Sequence, residues 1–591
     1  MSRKTRWVVR QTPGDYQALG QKYGIEPLLL LIAKNRGVEE ENFTRFFCPS
    51  RDDLYDPGLI KEVPEAAEIL MQKIGEHKKI RVIGDYDIDG VCATVILTEG
   101  LRKLGADVDF SVPHRINDGY GLNMNLVDAA IKSGVDTIIT CDNGIAAYKE
   151  IEYAVDKGIT VIVTDHHEIP YDLEGEVKKY RLPPAHAVVD IKREDETYPF
   201  KDLCGACVAW KLLIFLEQKM GADIDSYRYV ELAGFATVGD VMQLKGENRT
   251  ITALGLDAMK HSAFVGLRAL VERCEIKPED LRCYHIGFRL GPCINATGRL
   301  DSADRAIKLL METDEKAAAD YAAELVGFNT ERQALTDKGV ESVLETMERD
   351  GMSDDNVLVV YVPGIHESIA GIIAGRIKEK FYRPSIVLTD GEECVKGSAR
   401  SIEGYSMYDK LNECAGLFIK FGGHPMAAGM SIARENVDKL RRFLNEHAGI
   451  DEETITEKIT IDAVVPFSYI DAKLVGQLEK LEPTGNGNVK PLFAAKDVQI
   501  KKLEFRGPEK QHVNMTLYDG TAKLEAMVWN VADEIRQYFK DKYGANDPDK
   551  AISEGGSTGR LDIIFSPEIN SWNGKTKVQL KIKDYRFNDH S

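Results

Sequence analysis

The sequence has 591 residues, enough for several domains with separate cores. Hydrophobic residues make up 43% and charged residues 29% of the chain, and no apolar run approaches the roughly 20 residues of a membrane span. A net charge of −19 disfavours a protein that binds duplex DNA through a broad basic face, although a local basic groove can coexist with an acidic remainder. Because the basic N-terminus lacks an apolar signal core, we predict a cytoplasmic protein without a membrane anchor.

Residues 1–75 are predicted to form a helical preamble, with helices over 16–35 and 65–73. After it, short β-branched runs alternate with helical stretches up to about residue 190. The successive elements are predicted at 79–83, 91–104, 108–112, 122–132, 137–141, 146–157 and 160–163. This alternation predicts a doubly wound α/β domain with a mostly parallel sheet.

The next region, from Cys204 to about Arg349, has apolar residues at helical spacing. Its last part, residues 315–349, is charged and free of proline, which predicts a long helix between two lobes, with Gly327 and Gly339 as its weak points. The α/β pattern then returns in a second domain that ends near residue 448, with elements predicted at 356–362, 367–381 and 385–389.

The C-terminal region alternates apolar and polar residues with a period of two, which is typical of half-buried strands. Strands are predicted at 458–465, 513–520, 523–529, 561–565 and 577–582. So many short strands indicate a small closed β-barrel, with an oligonucleotide-binding (OB) fold as the leading candidate. Basic stretches at 501–502 and 575–583 lie near Phe505, Tyr518 and Trp572, which suits either single-stranded nucleic acid or a barrel core beneath a solvated lysine face.

Three aspartates at alternating positions, Asp85, Asp87 and Asp89, follow the predicted strand at 79–83. Carboxylates crowded in this way repel one another unless a cation lies among them, and a divalent metal is the usual partner. The alternative interpretation is an acidic turn in which Asp89 caps the helix that follows.

Acidic residues also end two later strands, at Asp142 and at Asp165-His166-His167, and Asp240 follows a further apolar run. Because the carboxyl ends of parallel strands converge at one edge of the sheet, we expect these side chains to share one crevice. The sequence therefore favours a metal site over a helix cap.

The ten cysteines are too sparse for a disulfide scaffold. One pair, Cys204-Gly-Ala-Cys207, has the spacing of a redox pair or of half a zinc site. A second C-x-x-C or H-x-x-x-H pair is missing from the neighbouring sequence, so we interpret these residues as small side chains on a packed helix.

Several longer motifs appear in a fixed order. They are Asp85-Tyr-Asp-Ile-Asp-Gly90, Cys141-Asp-Asn-Gly144, Thr164-Asp-His-His167, Gly239-Asp-Val-Met-Gln-Leu244, Gly291-Pro-Cys-Ile-Asn-Ala-Thr-Gly-Arg299, Gly397-Ser-Ala-Arg-Ser401, Gly422-Gly-His-Pro-Met-Ala-Ala-Gly429 and Leu481-Glu-Pro-Thr-Gly-Asn-Gly-Asn488. In this order the chain resembles the DHH phosphoesterase superfamily and, over nearly its whole length, the RecJ family within it. The chain departs from the RecJ pattern at Cys293, where an arginine is common, and at Asp190-Ile191, where Asn-Pro is usual and where we expect a structural role.

The resemblance implies a multidomain α/β protein: a parallel-sheet DHH domain and a second, DHH-associated α/β domain joined by a long helix, and a C-terminal OB-like β-barrel. The predicted boundaries are 1–75 for the preamble, 76–314 for the DHH domain, 315–349 for the connecting helix, 350–450 for the DHH-associated domain and 451–591 for the barrel domain.

The resemblance also implies two divalent ions, Mn²⁺ or Mg²⁺. The implied metal ligands are Asp85, Asp87, Asp89, Asp142, His166 and Asp240, with Asp142 as the bridge and Asp85 as either a ligand or a neighbour of one. Asp165 is expected to orient the adjacent histidine, and His167 to protonate or stabilise the departing oxygen. The implied substrate contacts are Arg115, Asn295, Arg299, Ser398, Arg400 and His424, with Ser398 and Arg400 at the 5′-terminal phosphate. His366-Glu367 also matches a family position, without an assigned role.

The function implied by the resemblance is a metal-dependent 5′-to-3′ exonuclease that degrades single-stranded DNA to 5′-mononucleotides in recombination and repair. A helicase and a single-strand-binding protein are its expected partners, and a monomer its expected state. One alternative is a phosphodiesterase of the superfamily that cleaves short oligoribonucleotides or cyclic dinucleotides, which the additional barrel disfavours. The other is an inactive scaffold that binds single strands, which the complete set of aspartates disfavours.

Overall fold

The protein is described by a computed structural model that covers residues 4–114, 121–174, 177–553, 559–572 and 575–588. Contacts divide the chain into two compact units, one built mainly from Pro49–Glu457 and the other from Thr5–Cys48 with Lys458–Ser591. Among the residues that the structure covers, no helix has both the length and the apolar character needed to cross a membrane.

Within the two α/β domains, the secondary structure follows the order of elements expected from the sequence. The helices are α1 (Tyr16–Tyr23), α2 (Pro27–Asn35), α3 (Phe43–Phe47), α4 (Val63–Gly75), α5 (Ile88–Lys103), α6 (Met124–Lys132), α7 (Tyr148–Asp156), α8 (Gly205–Met220), α9 (Val230–Gly239), α10 (Gly246–Met259), α11 (Val265–Arg273), α12 (Cys283–His285), α13 (Gly291–Leu300), α14 (Asp304–Met311), α15 (Glu315–Arg349), α16 (Ala370–Phe381), α17 (Met407–Glu413), α18 (Val437–Glu446), α19 (Ala472–Leu478), α20 (Ala532–Tyr543) and α21 (Pro548–Ser553). A π-helical turn, Ile286–Leu290, joins α12 to α13.

The strands of the described residues form two five-stranded sheets, a six-stranded sheet that contains the barrel, and two two-stranded sheets. They are β1 (Lys4–Val9), β2 (Lys79–Ile83), β3 (Asp107–Ser111), β4 (Thr137–Cys141), β5 (Thr160–Asp165), β6 (Tyr171–Glu174), β7 (Val177–Tyr180), β8 (Ala187–Asp190), β9 (Leu358–Tyr361), β10 (Ser385–Asp390), β11 (Val395–Arg400), β12 (Phe418–His424), β13 (Ala427–Ile432), β14 (Thr456–Ile461), β15 (Ala463–Val464), β16 (Phe493–Arg506), β17 (His512–Tyr518), β18 (Lys523–Val528), β19 (Arg560–Trp572) and β20 (Lys575–Phe587).

The first α/β domain is built on a parallel sheet with the strand order β3-β2-β4-β5-β8. Val82 and Ile139 pack in the core formed with α4, α5 and α8, whereas Ile83 and Ile138 pack in a second core with α6 and α7. Because both faces are covered, the central strands β4 and β5 are buried over nearly their whole length, as in other doubly wound sheets. The predicted doubly wound parallel sheet is therefore confirmed.

The predicted long helix is confirmed as α15, which runs from Glu315 to Arg349 without a break at either of its two weak points. Gly339 does not interrupt it but allows a close approach to α16, because a Cβ at this position would lie 2.4 Å from Cδ1 of Ile373. The second α/β domain contains a mixed sheet with the order β12-β13-β11-β10-β9, in which only β9 and β10 are parallel.

The C-terminal barrel is closed, and its strands follow one another as β16-β17-β18-β20-β19, with β19 returning to β16. The predicted OB-like barrel is confirmed, but the predicted strand at 458–465 is divided in two. Its first part lies in β14, which pairs with β1, and only β15 (Ala463–Val464) pairs with the barrel, through β16. The barrel strand that the sequence did not predict is Phe493–Arg506. This strand bulges twice, between Ala495 and Val498 and between Ile500 and Lys502, so its side chains do not keep a strict period of two.

The N-terminal residues differ from a purely helical preamble, because β1 is a strand. Residues Leu28 to Phe47 contribute apolar side chains to the same core as the barrel. Long-range pairing of this kind leaves no local pattern in the sequence.

Candidate active site

The carboxyl ends of three neighbouring strands carry the predicted acidic residues. Strands β2, β4 and β5 run parallel and in register, so Asp85, Asp142 and Asp165 reach the same edge of the sheet. The chain goes from β2 to β3 on one side and then to β4 on the other, and this reversal between β2 and β4 is where α/β sheets usually bind ligands. Asp240 joins the group from the C-terminal end of α9.

The first motif is shaped by two helix N-termini. Asp87 caps α5 by accepting hydrogen bonds from the amides of Asp89 (3.0 Å) and Gly90 (3.2 Å). The Asp89 carboxylate accepts from the amides of Gly205 (2.7 Å) and Ala206 (2.8 Å), which begin α8. The capping residue is thus Asp87 and not Asp89, because Asp89 already lies inside the helix and turns toward α8. Helix N-termini favour carboxylates, so α8 stabilises the charge of Asp89.

The second motif has an unusual backbone. Asp142 has a φ of +61°, a left-handed conformation that costs of the order of 1 kcal/mol or more and is typical of functional sites. The side-chain amide of Asn143 holds the turn by donating to the carbonyls of Ile83 (3.1 Å) and Cys141 (2.9 Å). The turn therefore fixes the Asp142 side chain between β2 and β4.

The two histidines have different surroundings. His166 Nε2 lies 3.0 Å from Oδ1 of Asp142, 3.5 Å from Oδ2 of Asp89 and 3.9 Å from Oδ2 of Asp240. His167 Nδ1 instead lies 2.7 Å from Oδ1 of Asp165. Because Asp165 binds Nδ1, the other ring nitrogen of the partly exposed His167 is the one that can face a substrate.

Possible ligand atoms form overlapping groups, each within 4.8 Å. The groups are Asp85 with Asp87 and Asp142, Asp89 with His166 and Asp240, and Asp142 with His166 and His167. Asp142 belongs to two of the groups, so one carboxylate lies between two candidate cation positions. Oxygen ligands with one imidazole suit Mn²⁺ and Mg²⁺.

The electrostatics of the cluster also call for a cation. Burial, reinforced by the neighbouring carboxylates, raises the pKa of Asp85 and of Asp142 well above the usual range, and it raises the pKa of Asp240 to about 8. Neither carboxylate oxygen of Asp85 makes a hydrogen bond of normal geometry to the described residues, although nearby amides of Tyr86 and Gly121 act to lower its pKa. Burial lowers the pKa of His166, which keeps the imidazole neutral and able to bind a metal. The residues therefore fit divalent ions.

Asp165 differs from the other aspartates because donors surround it. Its oxygens accept from the amides of Ile145 (3.0 Å) and His166 (2.7 Å) and contact His167. Burial would raise the pKa of Asp165, but His167 and these donors hold it below the usual range. In turn, although burial opposes the charge, Asp165 raises the pKa of His167 to about 9. Asp190, next to Asp165 in register, is buried and has a pKa raised by burial to about 8.

Ser398 and Arg400 face a helix N-terminus in the second α/β domain. They alternate on β11 and so share one face of the sheet. A Cβ added at Gly371, at the start of α16, would lie 2.8 Å from Nη2 of Arg400 and 3.3 Å from Oγ of Ser398. Glycine thus leaves the α16 N-terminus open to a hydroxyl and a guanidinium, a combination suited to phosphate. His424 lies exposed at the end of β12, and Arg115 lies outside the described residues.

Asn295 and Arg299, both on α13, contact other segments of the chain. Oδ1 of Asn295 accepts from the Ile88 amide (2.7 Å), between two of the predicted metal ligands. Arg299 Nη1 donates to the Ser368 carbonyl (2.7 Å), just before α16, and His366 Nδ1 lies 2.7 Å from Oγ of Ser368. Helix α13 therefore links the metal-binding loop to the start of α16.

Gly205 and Ala206 were not singled out as site residues by the sequence. A Cβ at Gly205 would lie 2.6 Å from Cβ of Asp142, so only glycine fits without a shift of the neighbouring backbone. Both residues belong to the motif Cys204-Gly-Ala-Cys207, which is noted above for its cysteines. The two cysteines are buried, and their sulfurs lie 3.6 Å apart. Cys204 is the N-cap of α8 and Cys207 lies in its first turn, so both are buried on a packed helix as the sequence predicted.

Three family models match the chain: the DHH family N-terminal domain over residues 79–239, the DHHA1 domain over 354–449 and the RecJ OB domain over 461–584. The single-stranded-DNA-specific exonuclease RecJ of Bacillus subtilis (strain 168) is 34% identical over 99% of this chain and 71% of its own length. The chain belongs to the RecJ family.

Other RecJ proteins agree with this assignment. RecJ of Escherichia coli (strain K12) is 29% identical over 94% of this chain and 95% of its own length. The crystal structure of Thermus thermophilus RecJ with Mn²⁺ superposes with a TM-score of 0.80 at 27% identity and covers 99% of this chain and 80% of that one. The same RecJ has been crystallised with Mg²⁺. These are the two ions that the oxygen and imidazole donors of the cluster favour.

Proposed function

We propose that this chain is a metal-dependent exonuclease that degrades single-stranded DNA from the 5′ end to 5′-mononucleotides. The observation that carries the proposal is the cluster of buried carboxylates and His166, in which Asp142 belongs to two ligand groups. The RecJ relatives carry single-stranded-DNA-specific exonuclease in their names.

In this proposal Asp85, Asp87 and Asp142 would hold one ion, and Asp142, Asp89, His166 and Asp240 would hold the other. When bound, two such ions lower the pKa of an attacking water and stabilise the charge that develops on the phosphoryl group. The chain itself supplies rigidity, because α8 fixes Asp89, Asn143 fixes the Asp142 turn and Asp165 fixes His167.

His167 is the proposed proton donor to the departing 3′ oxygen. Its Nδ1 is bound to Asp165 and its ring is partly exposed, so a proton on Nε2 can reach a substrate. Asp165 thus acts through His167 as a positioning residue.

The pocket of Gly371, Ser398 and Arg400 is the proposed site for the 5′-terminal phosphate. A guanidinium fork and the helix N-terminus both favour a dianionic phosphate over a neutral hydroxyl end. If this pocket holds the 5′-terminal phosphate while the next phosphate lies at the metal cluster, each turnover would release one nucleotide. His424, and Arg115 outside the described residues, are proposed as further substrate contacts.

The closed barrel is the proposed site for the longer single strand. We also propose recombination and repair as the cellular role and a cytoplasmic location, because the substrate is DNA. The proposed state is a monomer, and the proposed partners are a helicase and a single-strand-binding protein. The domain boundaries at 314/315, 349/350 and near 450 remain proposals.

The test uses a 20-nucleotide strand labelled at either end, its duplex and a short oligoribonucleotide, each incubated with Mn²⁺. We expect mononucleotides in order from the 5′ end of the DNA strand, with the duplex resistant. Release from the 3′ end would contradict the polarity. Rapid loss of the oligoribonucleotide with the DNA intact would indicate a small-nucleotide phosphodiesterase, and binding without any product would indicate a scaffold.

A further inference from the structure

Two aromatic rings lie stacked on the protein surface, where aromatic side chains are seldom so exposed. Tyr284 is 63% and Phe288 69% exposed, the highest values for aromatic residues in the described part of the chain. Their centroids are 5.1 Å apart and their planes differ by 28°. The same segment buries Cys283, Ile286 and Leu290, so the core does not need the two rings.

The rings belong to the helical segment that borders the metal cluster. The π-helical turn Ile286–Leu290 carries Phe288 directly into α13, and π-helical turns are frequent at functional sites. A Cβ at Gly291 would lie 3.3 Å from Cδ1 of Ile88, and Asn295 binds the Ile88 amide. The segment thus contacts the loop that holds Asp87 and Asp89.

The order of residues along this segment is the order in which a single-stranded DNA substrate would meet the phosphate pocket, the metal cluster and the two rings. Arg299 contacts Ser368, just before the helix that begins the proposed phosphate pocket, and Asn295 contacts Ile88, between Asp87 and Asp89. Phe288 and Tyr284 precede Asn295 in the segment, so they lie on the side of Asn295 that is opposite to Arg299. At about 1.5 Å per helical residue, Phe288 is about 10 Å and Tyr284 about 16 Å from Asn295 along the axis. A stacked strand advances about 3.4 Å per nucleotide, so the rings lie within the first few nucleotides beyond the cluster.

We propose that Tyr284 and Phe288 form a stacking platform for bases on the 3′ side of the bond to be cleaved. This inference rests on the proposed function. Aromatic faces bind every base without sequence preference, as a nuclease that degrades strands of any sequence requires. The exposed Arg282 beside the rings adds a positive charge that suits a nucleic acid more than an apolar peptide.

Binding is measured in EDTA, which prevents cleavage, with 5′-phosphorylated 20-nucleotide strands that carry 2-aminopurine at one of positions 2 to 6. We expect quenching of its fluorescence at one or two of these positions in the full-length protein. The double variant Tyr284→Leu/Phe288→Leu, which keeps an apolar surface but removes the rings, should lose this quenching. Its affinity should fall roughly 5-fold to 150-fold for each stacked base lost.

A matched control is the exposed pair Tyr171 and Tyr180, whose centroids are 5.8 Å apart on the hairpin β6–β7. Replacing both with leucine should change neither the quenching nor the affinity. Abasic nucleotides at the quenched positions should weaken binding to the unaltered protein and have no further effect on the Tyr284→Leu/Phe288→Leu variant.

Turnover of a 5′-phosphorylated dinucleotide in Mn²⁺ should be the same in the variant and the unaltered protein, because this substrate ends before the rings. The platform would be overturned if the variant bound the strand with the affinity and the quenching of the unaltered protein. It would also be overturned if abasic nucleotides weakened binding to the variant as much as they weaken binding to the unaltered protein. Failure of the unaltered protein to cleave any strand would instead contradict the proposed function, and the binding data would still decide the platform.

Discussion

Gly205→Ala tests the site without removing any proposed ligand. The new Cβ would lie 2.6 Å from Cβ of Asp142, whereas ordinary contacts begin at 3.4 Å, so about 0.8 Å must be absorbed. The Asp142 turn cannot yield easily, because its backbone is left-handed and bound through Asn143. The start of α8 must therefore shift. Because the first amides of α8 donate hydrogen bonds to the Asp89 carboxylate, this shift would displace Asp89 as well. We expect Mn²⁺ affinity to fall about 10-fold to 100-fold, as for other changes behind metal ligands.

The assay is calorimetric titration of the purified variant with Mn²⁺, followed by hydrolysis of a labelled single strand at increasing Mn²⁺. Overpacking should cost about 1–3 kcal/mol of stability, so the variant should still fold. Gly327→Ala is the control, because nothing lies within 4 Å of that position on α15, and it should gain about 1 kcal/mol of stability without a change in metal binding. A Gly205→Ala variant with unaltered Mn²⁺ affinity and turnover would refute the proposed support of Asp89 and Asp142 by α8.

Three other substitutions test separate parts of the account. Arg400→Lys should lower the preference of kcat/KM for 5′-phosphorylated over 5′-hydroxyl strands about 10-fold, because lysine lacks the planar fork; an unchanged preference would remove Arg400 from the pocket. Asn295→Ala should weaken Mn²⁺ binding about 10-fold by freeing the Ile88 amide, and calorimetry with normal affinity would show that the loop needs no such support. Lys211→Met should destabilise the fold by about 3–5 kcal/mol, because the fully buried Glu247 would lose its partner at 2.6 Å. A thermal unfolding midpoint equal to that of the unaltered protein would contradict this estimate.

The metal cluster could be predicted because its parts follow a local rule. Each of Asp85, Asp142 and Asp165 comes directly after a β-branched run, and parallel strands bring such positions to one edge. Which side chain faces which neighbour depends on atomic positions. The alternative interpretation placed a helix cap at Asp89, whereas the residue that caps α5 is Asp87.

The contacts that could not be predicted join distant segments. Asn295 binds Ile88 across 207 positions, and a motif match identifies the asparagine without its partner. Strand β1 (Lys4–Val9) pairs with β14 (Thr456–Ile461), which is distant in the sequence. The strand Phe493–Arg506 was missed because its bulges break the alternation that marks a strand. Local periodicity reports which face of an element is buried, but not what covers it.

The central claim is that Asp142 lies between two metal ions that act together. Mn²⁺ should bind the unaltered protein in two equivalents, and the electron paramagnetic resonance spectrum should show two coupled ions. Asp142→Ala should lose the coupled signal and the hydrolysis of single-stranded DNA together. One equivalent of Mn²⁺, two uncoupled ions, or an Asp142→Ala variant that still degrades single strands would contradict the account.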